Sequence, residues 1–297
     1  MHPLFLYPKL CGEGAIFLLG QYLNALREQG PLIHCITNTV TMNDCANALL
    51  AVGGSPIMAD DPDEVAEIAA LAGGVVLNIG TLRRQNLNAF YGAGREAVRR
   101  GIPVVLDPVG AGASRLRTET ARGLWKELPL AAIRCNLSEL RALLGEGGGA
   151  RGVDAAPEDL AASASLRERA AQIGALARRA QTMVAVTGEV DFVSDGVRTF
   201  AIRGGHPLMA RVTGTGCMLT AVTGAFLAAS PQQPLEAAAA AVCAMGLCGA
   251  RAHRRLLEKT GREGTGSYRV LLMDELACLT GGELDGGEDI EIFERAD

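Results

Sequence analysis

Residues 204–227 read GGHPLMARVTGTGCMLTAVTGAFL. A short extended run ends in the tight Gly214-Thr215-Gly216-Cys217, and an apolar helix is expected to begin near Cys217. Gly214 and Gly216 carry no Cβ, so the backbone can turn sharply there and bring bare N–H groups against a ligand. The helix start adds the positive end of a macrodipole, and the two together suit an oxyanion or a phosphate. A thiol at that point is expected to ionise more easily than usual, and then to accept a proton or attack a centre. The bland alternative is a glycine turn before a core helix, with Cys217 as a small hydrophobe.

Outward from this unit the chain alternates strand and helix. Pro31–Ile36 is a buried strand, followed by turn and capping residues at Thr37-Asn38-Thr39 and Asn43-Asp44 and a helix that ends at Gly53-Gly54. Ser55–Ala59 is short and extended. Asp61-Pro62-Asp63-Glu64 has the order of an N-cap, a proline at N1 and a capping-box glutamate, for a helix to Leu71. Strands follow at Val75–Gly80, Ile102–Leu106, Ala131–Asn136 and Thr182–Thr187, with helices at Gln85–Arg100, from Ser138 to Leu144, and at Arg167–Ala180. Phe192–Ile202 breaks the pattern, because Asp195-Gly196 between two apolar runs predicts an antiparallel hairpin with a type I′ turn. Leu235–Leu257 is a long Ala-rich helix, Thr265–Leu279 becomes helical, and the acidic tail from Glu283 is expected to fray.

Such repeated βα units predict an α/β fold: a mostly parallel central sheet, helices on both faces and an antiparallel hairpin near one edge. Ligands then bind beyond the carboxyl ends of the strands, where Asn38, Met58, Gly80, Asp107, Asn136, Thr187 and the Gly214 turn gather. No internal repeat or linker divides the chain. Residues 31–280 are read as a single domain, between an N-terminal extension (1–30) of unassigned role and an acidic tail (281–297). Gly, Ala, Ser and Pro dominate a surface excursion between Gly145 and Ser165; its glycines follow a helix, whereas a dinucleotide fingerprint must follow a strand.

Composition narrows the partners. The 297 residues are 48% apolar but only 4% aromatic, with 37 glycines, which suits close packing of helices on a sheet. Net charge is −5 with dispersed Lys and Arg, so no basic stripe points to nucleic acid or a membrane surface, and small molecules are the expected ligands. Eight cysteines without a CxxC pair argue against a zinc site and a secreted disulfide framework, and for a reducing cytoplasm. The N-terminal apolar pieces Leu4–Leu6 and Ala15–Leu19 are too short to span a bilayer and do not form one secretory block.

Several polar residues have a chemical and a structural reading. Asp107-Pro108 ends a strand and can hold a metal-bound phosphate or merely turn the chain. Asn136 and Glu139, three apart at a helix start, can offer oxygen to Mg²⁺; capping the helix is the simpler role for them. Arg134 within an apolar strand needs a partner, either a phosphate or a buried carboxylate. Thr187-Gly188-Glu189 can lie along a nucleotide or open the hairpin loop. Met58 can wall an aromatic ligand or fill the core. His34 reads as a core histidine, His206 as near Cys217 in sequence only, and Cys243 and Cys248 as packing.

HCITNTVTMNDCANALLAVGGSPIMA from His34, NIGTL from Asn78, LDPVGAGAS from Leu106, AAIRCNLSEL from Ala131, VAVTGEVDFVSDG from Val184 and the stretch from Gly204 closely resemble the hydroxyethylthiazole kinases, in order, from about Pro31 to Leu279. The resemblance implies a ribokinase-like fold. It also implies ATP-dependent phosphorylation, with Mg²⁺, of the hydroxyethyl group of 4-methyl-5-(2-hydroxyethyl)thiazole in thiamine salvage, by a homotrimer with active sites between subunits. On that resemblance Met58, Gly214 and Asn38 meet the thiazole, Arg134 and Thr187 meet ATP, and Asp107 and Glu139 lie where Mg²⁺ and phosphates gather. Cys217 stands where other ribokinase-like enzymes place an aspartate base. Cys135, Thr39 and the long excursion after Gly145 depart from the family pattern.

The expected chemistry is that Gly214, Thr215 and Gly216 N–H groups hold the γ-phosphate while Cys217 takes the hydroxyl proton. Three rivals remain at this level: a related kinase for another alcohol such as a pyrimidine precursor, an acyl transferase using Cys217 with a histidine base, and a thiazole or nucleotide sensor without turnover.

Overall fold

The computed structural model describes residues 18–146, 164–287 and 289–295. Its first half runs α1 (Gly20–Gln29), β1 (Leu32–Ile36), α2 (Met42–Val52), β2 (Ser55–Ile57), α3 (Val65–Leu71), β3 (Gly74–Asn78), α4 (Leu87–Arg99), β4 (Val104–Asp107) and α5 (Arg115–Glu127). Then come β5 (Ala132–Asn136), α6 (Leu137–Leu144), α7 (Leu166–Ala180), β6 (Met183–Thr187), β7 (Asp191–Ser194) and β8 (Arg198–Ile202). The helices α8 (Thr215–Ala229), α9 (Pro234–Thr260), α10 (Thr265–Cys278) and α11 (Gly281–Gly287) precede a last strand, β9 (Ile290–Glu294).

All the strands join one sheet in the order β2-β1-β3-β4-β5-β6-β7-β8-β9. The pairs from β2 to β6 are parallel, and β6 through β9 are antiparallel. Strands such as β3, GVVLN, and β4, VVLD, are buried at every position because helices cover both faces. One core lies under α1, α2, α8, α9 and α10; the other lies under α3 to α7.

The first core is built around α8, which is apolar on nearly all sides. A Cβ on Gly224 would fall 2.7 Å from Val76 Cγ2, so the missing side chain lets α8 ride directly on β3. The fully buried Ala237–Ala241 run of α9 packs beside it. At 27 residues α9 is long and apolar enough to cross a membrane, but 83% of its apolar window is buried inside the fold, as in a core helix.

Several local expectations need correcting. α8 starts at Thr215, two residues early, because Gly214 in the left-handed region (φ 87°) ends the preceding turn. Asp61 accepts from the Asp63 N–H at 2.9 Å and closes a turn rather than a capping box, so α3 waits until Val65. The hairpin links Asp195 to Arg198 through Gly196-Val197. Only Gly196 has positive φ (89°) there, the sign pattern of a type II′ turn rather than I′. The tail does not fray: α11 docks on α1, and β9 pairs along the whole of β8. The described part of the N-terminal extension is a core helix, since Leu19, Leu23 and Leu26 are fully buried. The sequence reading passed over α5, whose N-cap Ser114 accepts from the Arg117 N–H at 3.3 Å. Residues 1–17 and 147–163, most of the Gly145–Ser165 excursion, lie outside the described residues.

Candidate active site

Parallel strands deliver their carboxyl ends to one edge of the sheet, and Asn78 stands beside Asp107 and Asn136 beside Thr187 in the register there. The N-terminus of α8 meets the same edge. A crevice of about 570 Å³ opens between them, lined by Asp107, Arg134, Glu139, Thr187, Gly214 and Cys217 among others. An adjoining crevice of about 520 Å³ shares Arg134, Thr187 and Gly216 and extends past Glu189 and His206.

The helix end has the geometry of an anion cradle. The first intrahelical bond of α8 runs from the Met218 N–H to the Gly214 carbonyl at 2.8 Å, so the N–H groups of Thr215, Gly216 and Cys217 point off the end of the helix. Gly214 is required twice: its φ is positive, and a Cβ would sit 2.4 Å from the Thr41 methyl. A Cβ on Gly216 would lie 2.5 Å from Arg134 Nη1, so the guanidinium rests directly on the helix start. Arg134 Nη2 donates to Thr187 Oγ1 at 2.5 Å, while its buried Nε has no partner among the described residues. A cation left with a spare donor beside free N–H groups is arranged to meet an anion.

Asp107 is fully buried. Its Oδ2 accepts from Asn78 Nδ2 at 2.8 Å and Thr220 Oγ1 at 2.7 Å, and its Oδ1 has no partner among the described residues. Burial raises its pKa, opposed first by the positive charge of Arg134. Glu139 forms the capping box with Asn136 that the simpler reading anticipated: its Oε2 accepts from the Asn136 N–H at 3.0 Å, and Asn136 Oδ1 accepts from the Glu139 N–H at 2.8 Å. The other oxygen, Oε1, takes the Gly110 N–H at 2.7 Å. Burial, then the charge of Asp107, pushes Glu139 up to about 7.

Cys217 is reached by the Asn38 amide, whose Nδ2 donates to Sγ at 3.1 Å and to Asn78 Oδ1 at 3.2 Å. Its thiol does not ionise easily. Burial and then the Asp107 carboxylate drive its pKa up, against the lowering by the Thr41 and Asn78 side chains and the charge of Arg134. Asn38 itself is buried, with Oδ1 accepting from the Thr41 N–H at 3.1 Å, so its visible role is to hold Cys217. Met58 is not brought to either crevice; it is half-buried beyond the edge strand β2. His34 is a core histidine as expected, its Nε2 bonded to the Ala59 carbonyl at 2.8 Å. Asn78 and Thr220 were missed as site residues; a polar side chain in an otherwise apolar strand or helix was the available signal.

Residues 23–281 match the model of the hydroxyethylthiazole kinase family. The chain is 42% identical to the hydroxyethylthiazole kinase of Clostridium acetobutylicum, over 93% of this chain and 100% of that one. With the enzyme of that name from Desulfovibrio desulfuricans the identity is 45%, over 90% and 96% of the two chains. Among solved structures, the hydroxyethylthiazole kinase protein of Pyrococcus horikoshii OT3 superposes with a TM-score of 0.80 at 39% identity, covering 93% of this chain and 99% of that one. A ribokinase-like superfamily protein from Enterococcus faecalis V583 shares the fold alone, with a TM-score of 0.56 at 12% identity over 91% and 92% of the chains. By sequence and by structure, this chain belongs to the hydroxyethylthiazole kinase family.

Proposed function

We propose that this protein is an enzyme that transfers the γ-phosphoryl group of ATP to the hydroxyethyl group of 4-methyl-5-(2-hydroxyethyl)thiazole, in thiamine salvage. The observation that carries this is the convergence of the Arg134 guanidinium and the open N–H groups of Thr215, Gly216 and Cys217 on one crevice. Phosphoryl transfer through a loose transition state needs charge stabilisation and alignment above all, and this is a preorganised set of donors. Gly214 sets the turn, Arg134 is held by Thr187, and both lie on rigid elements.

The residues present fit a magnesium ion: Asp107 Oδ1 is a buried carboxylate oxygen with no partner among the described residues, and Glu139 keeps lone pairs beyond its two backbone bonds. Asp107 and Glu139 would hold Mg²⁺ there, and the ion would neutralise charge on the phosphates of ATP. Cys217 would take the alcohol proton as transfer proceeds. Its raised pKa makes the thiolate scarcer but more basic, and the alcohol proton becomes acidic only as the alcohol oxygen bonds to phosphorus and ADP departs.

Active sites between the subunits of a homotrimer would account for Met58, which lies away from the crevice of its own chain. The edge strand β2 leaves its outer side unpaired, and Val40, Leu50 and Leu71, on the segments before and after it, are 59–73% exposed. Free thiols at all seven described cysteines support a reducing compartment, the cytoplasm.

Incubation of the protein with ATP, Mg²⁺ and the thiazole alcohol should yield ADP and thiazole phosphate in equal amounts. A hydroxymethylpyrimidine as the preferred acceptor would instead assign a sister kinase, and binding of both ligands without ADP would leave a sensor. None of the three described histidines lines the crevice at Cys217, which argues against acyl transfer with a histidine base from this chain.

A further inference from the structure

At the far rim of the adjoining crevice, three side chains from separate segments meet. His206 follows β8 and opens the 3₁₀ turn Pro207–Arg211, His253 lies on α9, and Glu263 is in the link from α9 to α10. The two imidazoles stack with centroids 3.4 Å apart and planes 12° apart. His253 Nε2 is 2.8 Å from Glu263 Oε1. One donor atom from each of the three lies within 4.8 Å of the others.

We propose that His206, His253 and Glu263 form a binding site for a divalent transition ion of the zinc class. Two imidazole nitrogens and a carboxylate oxygen are the mixed donor set that zinc takes, leaving a fourth position for water or for a group in the crevice. Magnesium and calcium prefer oxygen alone, so the site is chemically distinct from the oxygen donors at Asp107 and Glu139. Tetrahedral bonds of about 2.0–2.1 Å set donors roughly 3.4 Å apart. His253 Nε2 and Glu263 Oε1 are already inside that spacing at 2.8 Å, so binding acts on the stack: the two rings slide apart until a nitrogen of each faces the ion, and Glu263, 48% exposed in its link, follows.

One bond is given up: His206 Nδ1 accepts from the Leu208 N–H at 3.2 Å. Ligation through either nitrogen ends this, since a bond at Nε2 moves the ring proton to Nδ1. A long neutral hydrogen bond is exchanged for a coordinate bond. The bound ion would tie the segment leading to Gly214 to α9 and its following link, where the side chains now meet through the imidazole stack and the His253–Glu263 hydrogen bond.

The test uses the full-length protein, stripped with chelator and titrated with ZnCl₂ in a calorimeter, beside His253→Gln and Glu263→Gln. One equivalent should bind, at least tenfold more weakly in each variant; Glu263 is exposed, so its replacement does not threaten the fold. Co²⁺ in place of zinc should show visible d–d absorption without the thiolate charge-transfer band that binding at a cysteine produces. No bound equivalent, an affinity unchanged in both variants, or a thiolate band would each overturn the proposal. In the first case the cluster is a His253–Glu263 hydrogen bond with a stacked ring and nothing more.

Discussion

The side-chain amide of Asn38 donates to Cys217 Sγ at 3.1 Å, joining residues 179 apart in sequence. The same amide donates to Asn78 Oδ1, and Asn78 Nδ2 donates to Asp107 Oδ2. A chain of hydrogen bonds thus runs from the sulfur on α8, through Asn38 after β1 and Asn78 on β3, to Asp107 on β4. Each link fixes the next, and Asp107 in turn presses the thiol toward its neutral form.

If Cys217 takes the alcohol proton, Cys217→Ala should lower kcat while the Kd for ATP stays within about threefold, because the anion contacts are backbone N–H groups and Arg134. The raised thiol pKa sets the sign of the pH dependence: kcat should keep climbing as pH rises beyond the usual thiol range near 8.5, and Cys217→Ala should flatten that climb. Steady-state kinetics from pH 6 to 10 decide it; full turnover in the alanine variant would end the base assignment. Asn38→Ala should also reduce kcat and, by stranding buried partners, cost about 1–3 kcal/mol in chemical denaturation.

Gly216→Ala places a methyl 2.5 Å from Arg134 Nη1. The guanidinium must leave the helix start, so KM for ATP should rise roughly tenfold, a loss of about 1.4 kcal/mol of binding. An Arg134→Lys protein should show a comparable rise, since lysine loses the fork that reaches both Thr187 and the anion. Nucleotide titration by fluorescence or calorimetry measures both, and unchanged ATP affinity in both variants would move the phosphate elsewhere.

Acid should expose the buried His34. Burial lowers its pKa from the ordinary 6.5, so on acidification the unfolded chain takes up the proton before the folded protein does. This contribution to stability is whole above pH 6.5 and is lost as pH falls from there toward the depressed folded-state value. In urea titrations between pH 7.5 and about 5, the wild type should lose more stability than His34→Gln, which keeps a donor for the Ala59 carbonyl.

Phe293 anchors β9 in the core that lies under α3 to α7 and is only 8% exposed. Phe293→Ala should destabilise the protein by about 3 kcal/mol, within the usual range for a buried aromatic. Were the tail frayed, the same substitution would leave the denaturation midpoint unmoved.

Local patterns in the sequence were enough for the βα alternation, the Gly53, Gly101 and Gly214 turns, the Asn136–Glu139 cap and the hairpin, because periodicity, capping and positive φ act over a few neighbouring residues. They also gathered Asp107, Asn136, Thr187 and the Gly214 turn at one edge, since the carboxyl ends of parallel strands share it, but wrongly counted Met58 among them. Tertiary structure alone decided what lies far apart in the chain: the pairing of β9 with β8, the docking of α1 and the stack of His206 on His253. It decided the ionisation of Cys217 as well. The helix end that led the sequence to suggest a thiolate is local, but the burial and the Asp107 charge that raise the thiol pKa arise only once β4 and α8 are packed together.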